Sequence, residues 1–143
     1  MRTIERSAVV PFAREAMFEL VSDVECYPEF LPWCVGSEVR SRTDGELTAS
    51  LDVGFGPLNT SFATCNRYVA PEWMTLELLD GPFTSLDGRW DFVALANDEC
   101  EVKLRMQFAF SGTMQEMILG PTFEALCNEL LDAFISRAHA LYD

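Results

Sequence analysis

A chain of 143 residues with 49% hydrophobic content is long enough for one domain with a core of its own. Ten Lys and Arg stand against 23 Asp and Glu, a net charge of −13, and a surface of that sign repels phosphate backbones and anionic headgroups, so no direct nucleic-acid partner is expected. The apolar runs are only a few residues long, which excludes a transmembrane helix. Met1-Arg2-Thr3-Ile4-Glu5 lacks a signal peptide's apolar core. Cys26, Cys34, Cys65, Cys100 and Cys127 are odd in number and have no CxxC spacing, so they read as reduced thiols of a cytoplasmic protein.

Residues 2–10 form a first strand, which Pro11 ends. Phe12, Ala16 and Leu20, with Met17 and Val21, recur at helical steps and predict a short helix over 12–21. Ser22-Asp23-Val24-Glu25 has the form of a capping box and predicts a second short helix. Pro28 stops it by about Tyr27, because the residue before a proline avoids helical geometry. Phe30-Leu31-Pro32-Trp33-Cys34 is an apolar connector. A strand comes next at 34–42, with Val35, Ser37 and Val39 alternating with Glu38, Arg40 and Arg42. Asp44-Gly45 predicts a hairpin turn. Leu47, Ala49, Leu51, Val53 and Phe55 then alternate with polar residues, and Gly56-Pro57 turns the chain. Leu58, Thr60, Phe62, Thr64 and Tyr68 share one face of a strand that ends at Ala70-Pro71. Met74, Leu76 and Leu78 mark the next, broken by Gly81-Pro82. Leu86, Gly88, Trp90, Phe92 and Ala94 share a face of the sixth strand, and Asn97-Asp98 turns again. Val102, Leu104, Met106, Phe108 and Phe110 alternate with Glu101, Lys103, Arg105 and Gln107 in the seventh.

Thr113-Met114-Gln115-Glu116 is another capping-box pattern, and Gly120-Pro121 interrupts the helical period a few residues later. This predicts a short turn at 113–119 and a helix at about 121–142, roughly 30 Å long at 1.5 Å per residue. Phe123, Leu126, Cys127, Leu130, Phe134, Ala138 and Leu141 form its apolar stripe. Glu124, Asn128, Glu129, Asp132, Ser136 and Arg137 lie opposite. The order is one strand, two short helices, six strands in hairpin succession and a long helix. It predicts a single α+β domain over 1–143, a seven-stranded curled antiparallel sheet around a long C-terminal helix.

That layout resembles the helix grip of START-like, Bet v 1-like domains. Two stretches narrow it: Asp23-Val24-Glu25-Cys26-Tyr27-Pro28-Glu29-Phe30-Leu31-Pro32-Trp33-Cys34 and Gly81-Pro82-Phe83-Thr84-Ser85-Leu86-Asp87-Gly88-Arg89-Trp90-Asp91-Phe92. Both resemble signatures of the coenzyme Q-binding branch, which also holds the RatA-type ribosome-association toxins and lies within the polyketide cyclase-like superfamily. Ser7-Ala8-Val9-Val10-Pro11 and the Phe108–Phe110 strand end are similar to that branch too. The resemblance spans essentially the whole chain. It implies a non-catalytic carrier of ubiquinone or a related isoprenoid quinone that supports respiration, working in the cytoplasm with transient contact at the inner membrane or with respiratory complexes. Its alternative is a toxin that binds the large ribosomal subunit and blocks subunit joining. A polyketide cyclase-like enzyme is a third reading. It needs polar groups inside the cavity, where the inward candidates are Thr60, Thr64 and Asn66.

The quinone ring is expected among Trp90, Phe92 and the segment Tyr27, Phe30 and Trp33, and its tail along Phe123, Leu126, Leu130 and Phe134. Leu51, Val53, Phe62, Phe83, Leu86, Met106 and Phe108 complete the expected lining. Each stretch also has a plainer reading. Leu86, Gly88, Trp90 and Phe92 could be ordinary core under the helix, with Gly88 either leaving room or marking a bend. The Tyr27–Trp33 segment could be a rigid plug or a gate, Gly120-Pro121 a helix start or a hinge. Met106, Met114 and Met117 read as gap-filling core. His139 reads as a cation near a helix end, and no catalytic set or metal site is expected. A ligand pocket of about 300 Å³, left empty, would forfeit roughly 7 kcal/mol at about 24 cal/mol per Å³. A large cavity is therefore expected to be filled, shrunken or partly wet.

Overall fold

In the computed structural model, which describes residues 1–143, the period-2 segments become seven strands. They are β1 Arg2–Val10, β2 Cys34–Thr43, β3 Glu46–Phe55, β4 Leu58–Val69, β5 Trp73–Asp80, β6 Phe83–Ala94 and β7 Cys100–Phe110. All pair antiparallel in the order β1-β7-β6-β5-β4-β3-β2. Hairpins join β2 through β7, and β1 closes beside β7 in a register running from Arg2 opposite Phe108 to Val10 opposite Cys100. Helix α1 (Arg14–Ser22) and a 3-10 helix (Val24–Glu29) link β1 to β2, and α2 spans Thr113–Tyr142.

The alternation in β7 is clean because that strand is paired on both edges and covered on one face. Cys100, Val102, Leu104, Met106, Phe108 and Phe110 are all buried, and Lys103 and Arg105 are exposed. α2 packs chiefly against β1 and β7 and only lightly against β4. Ion pairs pin it there: Arg2 Nε lies 2.9 Å from Glu116 Oε2, Arg2 Nη1 3.2 Å from Glu124 Oε1, and Arg6 Nη2 3.3 Å from Asp132 Oδ2. The curled sheet is thus held to the helix along one side and stands away from it on the other.

Several local expectations are corrected. The helix does not begin at 121. It runs unbroken from Thr113 through Pro121. Pro121 has no N–H to bond backwards, but the Arg2 guanidinium holds Glu116 before the break and Glu124 after it, so a tertiary contact spans the weak point. Gly120 makes this geometry available, because a Cβ there would collide with Glu116 and Arg2. The Thr113–Glu116 capping box does not form. Gly112 is the cap residue, and the Glu116 carboxylate is committed to Arg2 and to the Phe110 N–H at 3.3 Å. Met114 and Met117 are 74% and 72% exposed and fill no gap in the core.

The Ser22–Glu25 box likewise gives no side-chain cap; Ser22 Oγ donates to the Glu19 carbonyl at 3.0 Å. The second short helix is 3-10 and runs through Pro28 to Glu29, closing with Phe30 N and Leu31 N donating to the Tyr27 carbonyl. In β2, irregularities at Cys34/Gly36 and Val39/Ser41 shift the register. Cys34 therefore turns inward and Val35 outward, so Val35 does not share the face of Val39 as its spacing predicts. Phe55 and Ala94 lie at strand ends and are exposed. On α2, Leu131 is buried and Leu130 half-buried, while Leu141 is 50% exposed beyond the edge of the sheet.

Candidate functional site

Where α2 stands off from β3, β4 and β5, the fold leaves a cavity of about 70 Å³, lined by 17 residues, 15 of them hydrophobic. Its roof is the α2 stripe Phe123, Leu126, Cys127, Leu130 and Phe134. Its floor is one sheet face: Ala49 and Leu51 from β3, Phe62, Thr64 and Asn66 from β4, Leu76 from β5, Leu86 and Trp90 from β6, and Met106 from β7. Val24, Tyr27 and Trp33 close one side. At roughly 10–15 Å³ per water the space holds only about five waters. It is far smaller than a typical ligand pocket of about 300 Å³ or more.

The half-buried wall residues Tyr27, Trp33, Leu51, Phe62 and Leu130 form the rim, and Leu86, Trp90, Met106 and Phe123 are fully buried. The Tyr27 hydroxyl donates to the Val21 carbonyl, and its ring meets Phe134 edge-on at 5.3 Å. That fixes the 3-10 helix to α2. Trp90 lies between Phe92, parallel at 6.1 Å, and Phe134, edge-on at 5.3 Å. Gly88 does leave room, but for protein: the Met106 thioether occupies the place a Cβ would take.

Of the sequence-predicted lining, Tyr27, Trp33, Leu51, Phe62, Leu86, Trp90, Met106, Phe123, Leu126, Leu130 and Phe134 reach the wall. Phe30, Val53, Phe83, Phe92 and Phe108 do not. Phe83 lies 4.5 Å from Phe110 and, with Phe108 and Phe123, makes a solid aromatic end-plug. Phe92 sits behind Trp90 against Phe18, and Val53 is buried in the core cluster away from the cavity. Phe30 packs outside, on Phe134 at 5.2 Å with the Arg137 guanidinium over its ring. Alternation tells which face a residue occupies but not how far along the strand the open volume lies, and Val53, Phe83, Phe92 and Phe108 are on the right face at the wrong level, whereas Phe30 lies in the connector, where no alternation fixes its direction. Sequence reasoning missed Val24, Ala49, Leu76 and Cys127 on the wall. Thr64 and Asn66 were legible as inward polar positions; Thr60 is off the wall.

The wall carries no Lys, Arg, His, Asp or Glu. Its two ionisable groups are held neutral. Burial pushes the Cys127 thiol up to about 12 and raises the Tyr27 phenol well above its ordinary value. Thr64 Oγ1 donates to Asn66 Oδ1 at 2.7 Å, and Asn66 Nδ2 lies 3.8 Å from the Met74 sulfur. Such a wall can solvate an apolar body and meet one polar atom, and it offers no ionised acid or base. No helix is long and apolar enough to cross a membrane.

A curled antiparallel sheet gripping a long C-terminal helix over an apolar cavity defines the START-like class. A family model described as polyketide cyclase / dehydrase and lipid transport matches residues 10–135. A Pseudomonas aeruginosa protein named ribosome association toxin RatA is 41% identical over 139 residues, 97% of this chain and 96% of that one. The mitochondrial coenzyme Q-binding protein COQ10 of Drosophila melanogaster is 29% identical over 140 residues, 95% of this chain and 58% of that one. A START superfamily protein from Mycobacterium smegmatis superposes with a TM-score of 0.79 at 25% identity, over 97% of this chain and 98% of that one. The chain belongs to this polyketide cyclase-like, START-like family, among relatives named RatA and COQ10.

Proposed function

We propose that the protein binds a neutral hydrophobic ligand, an isoprenoid quinone such as ubiquinone, in the cavity under α2, and carries it without chemistry in support of respiratory electron transport. One observation carries this reading: a buried wall that is apolar in 15 of 17 residues and holds no ionised group. A charged ligand would be stripped of water there without compensation, and an acid–base enzyme would lack its acid and base. The relative named for coenzyme Q binding supports the choice of quinone. The cavity of about 70 Å³ is smaller than a quinone ring and tail require, so binding widens it. Loading moves the half-buried rim of Tyr27, Trp33, Leu51 and Leu130 outward, so that the ring enters and the tail runs along the α2 stripe. A carrier of this kind works in the cytoplasm and exchanges its ligand in transient contact with the inner membrane. The test is mass spectrometry of an organic extract of protein purified from a quinone-producing host, together with quenching of Trp33 and Trp90 fluorescence by added quinone. Absence of both refutes the reading.

A second reading is favoured by the 41% identity to a ribosome association toxin over nearly the whole of both chains: binding to the large ribosomal subunit. At a net charge of −13 the partner surface is a basic ribosomal protein and not ribosomal RNA. Co-sedimentation with isolated large subunits over a salt series tests it. Stoichiometric binding near 0.15 M salt with loss of assembled ribosomes makes this the leading function.

A further inference from the structure

We infer that Asn66 is the polar anchor of the cavity, donating an amide N–H to a carbonyl oxygen of a neutral, otherwise apolar ligand. The inference rests on the proposed hydrophobic-ligand reading and narrows the chemistry of what is bound. Asn66 is 4% exposed and Thr64 5%, the only buried polar side chains in the protein, and both face the cavity. A primary amide has two N–H donors and a carbonyl acceptor. The acceptor is taken by the Thr64 hydroxyl at 2.7 Å. The Nδ2 group has one partner, the Met74 thioether at 3.8 Å, which is a weak acceptor. One N–H is therefore left without a partner inside an apolar wall, where unmade hydrogen bonds are costly. Reversing the amide gives no relief, because it would set Oδ1 against the sulfur, lone pair to lone pair.

The unmet group selects its complement. It is a donor, so the ligand presents an acceptor. No cation lines the wall and the Tyr27 hydroxyl is spent on the Val21 carbonyl, so a carboxylate or phosphate would be buried without a counter-charge. A carbonyl oxygen takes the N–H and brings no proton needing a partner of its own. Asn66, Leu76, Gly88 and Met106 stand in one cross-strand row. A flat ring laid along this row, over Leu76 and Gly88, therefore turns one edge to the amide.

Two probes separate anchor from cavity: decylubiquinone, which has ring carbonyls, and decylbenzene, which has no acceptor. Calorimetric titration of the full chain is expected to show Asn66→Leu weakening decylubiquinone about tenfold, or ~1.4 kcal/mol, with decylbenzene changed less than about twofold. Infrared difference spectra of carbonyl-labelled decylubiquinone are expected to show one C=O band shifted to lower frequency on the wild-type protein and restored in the variant. Asn66→Val, which has no donor and suits a strand, serves if the Leu variant does not fold, and the wild-type infrared measurement needs no variant. Unshifted C=O bands on the wild type, or equal loss of both probes, overturns the anchor and leaves the apolar-ligand reading standing. Failure of the wild type to bind either probe overturns both.

Discussion

Filling the cavity should stabilise the protein and disable it. Ala49 is 4% exposed on β3, opposite Thr64 of β4, with its methyl on the wall. A cavity of about 70 Å³, at about 24 cal/mol per Å³, holds back at most roughly 1.7 kcal/mol. Ala49→Val adds two methyl-sized groups, worth about 0.8 kcal/mol each when buried, and Val suits a strand. Allowing for imperfect fit, the expected gain is about 1 kcal/mol, a Tm rise of about 3 °C for a chain of this size. The added carbons occupy the volume a ring needs, so decylubiquinone affinity is expected to fall at least tenfold. Ligand at about 100 times its Kd stabilises a binding-competent protein by about 2.7 kcal/mol, and the variant should lose most of that shift. Urea unfolding with and without decylubiquinone, and a Trp-quenching titration, read both effects. Loss of about 1 kcal/mol or more in the variant shows that the space cannot take the added groups without strain. A gain in stability with unchanged affinity shows that the ligand binds elsewhere.

Trp90→Ala should cost about 3–5 kcal/mol and also weaken decylubiquinone; normal binding by the folded fraction at low temperature would make Trp90 packing alone. Arg2→Met removes both clamps across Pro121. These pairs are partly exposed, so the loss is about 1 kcal/mol, with faster amide exchange confined to residues 113–120 as its signature. Arg2 holds the Glu116 carboxyl below its ordinary 4.5. That contribution is present above pH 4.5 and lost as pH falls through the lowered folded value, so the variant should show a shallower acid decline in stability. The Cys127 thiol moves from 9.0 up to about 12. Its contribution is intact below pH 9 and lost as pH rises from 9 toward 12, so Cys127→Ala should flatten that alkaline decline. Ligand affinity should stay level from about pH 5 to 8 in wild type, since no wall group titrates there.

Local pattern carried most of the architecture. Alternation in β3, β6 and β7, punctuation at Asp44-Gly45, Gly56-Pro57 and Asn97-Asp98, and the long helical stripe are each encoded within a few residues. They located seven strands and a C-terminal helix. The capping boxes failed because a side chain has a limited number of bonds to give: Glu116 is claimed by Arg2, 114 residues away in sequence. Pro121 reads as a helix start for the same reason, since the contact that carries the helix across it is not local. The residues of the 3-10 helix and connector were visible as an apolar segment, but not which of them faced inward.

The candidate site divides along the same line. The sequence by itself determined which side chains face the helix, that the chain is strongly acidic, and that the inward face is nearly devoid of charge, because period and composition are properties of the chain. Only the tertiary structure decided where that face is left uncovered. The volume exists because α2 is pinned to β1 and β7 by Arg2 and Arg6 and stands off from β3, β4 and β5. A void is a property of the distance between packed elements. No single segment encodes it, and so Phe83 and Phe108 became solid core while Ala49, Thr64 and Asn66 came to border open space.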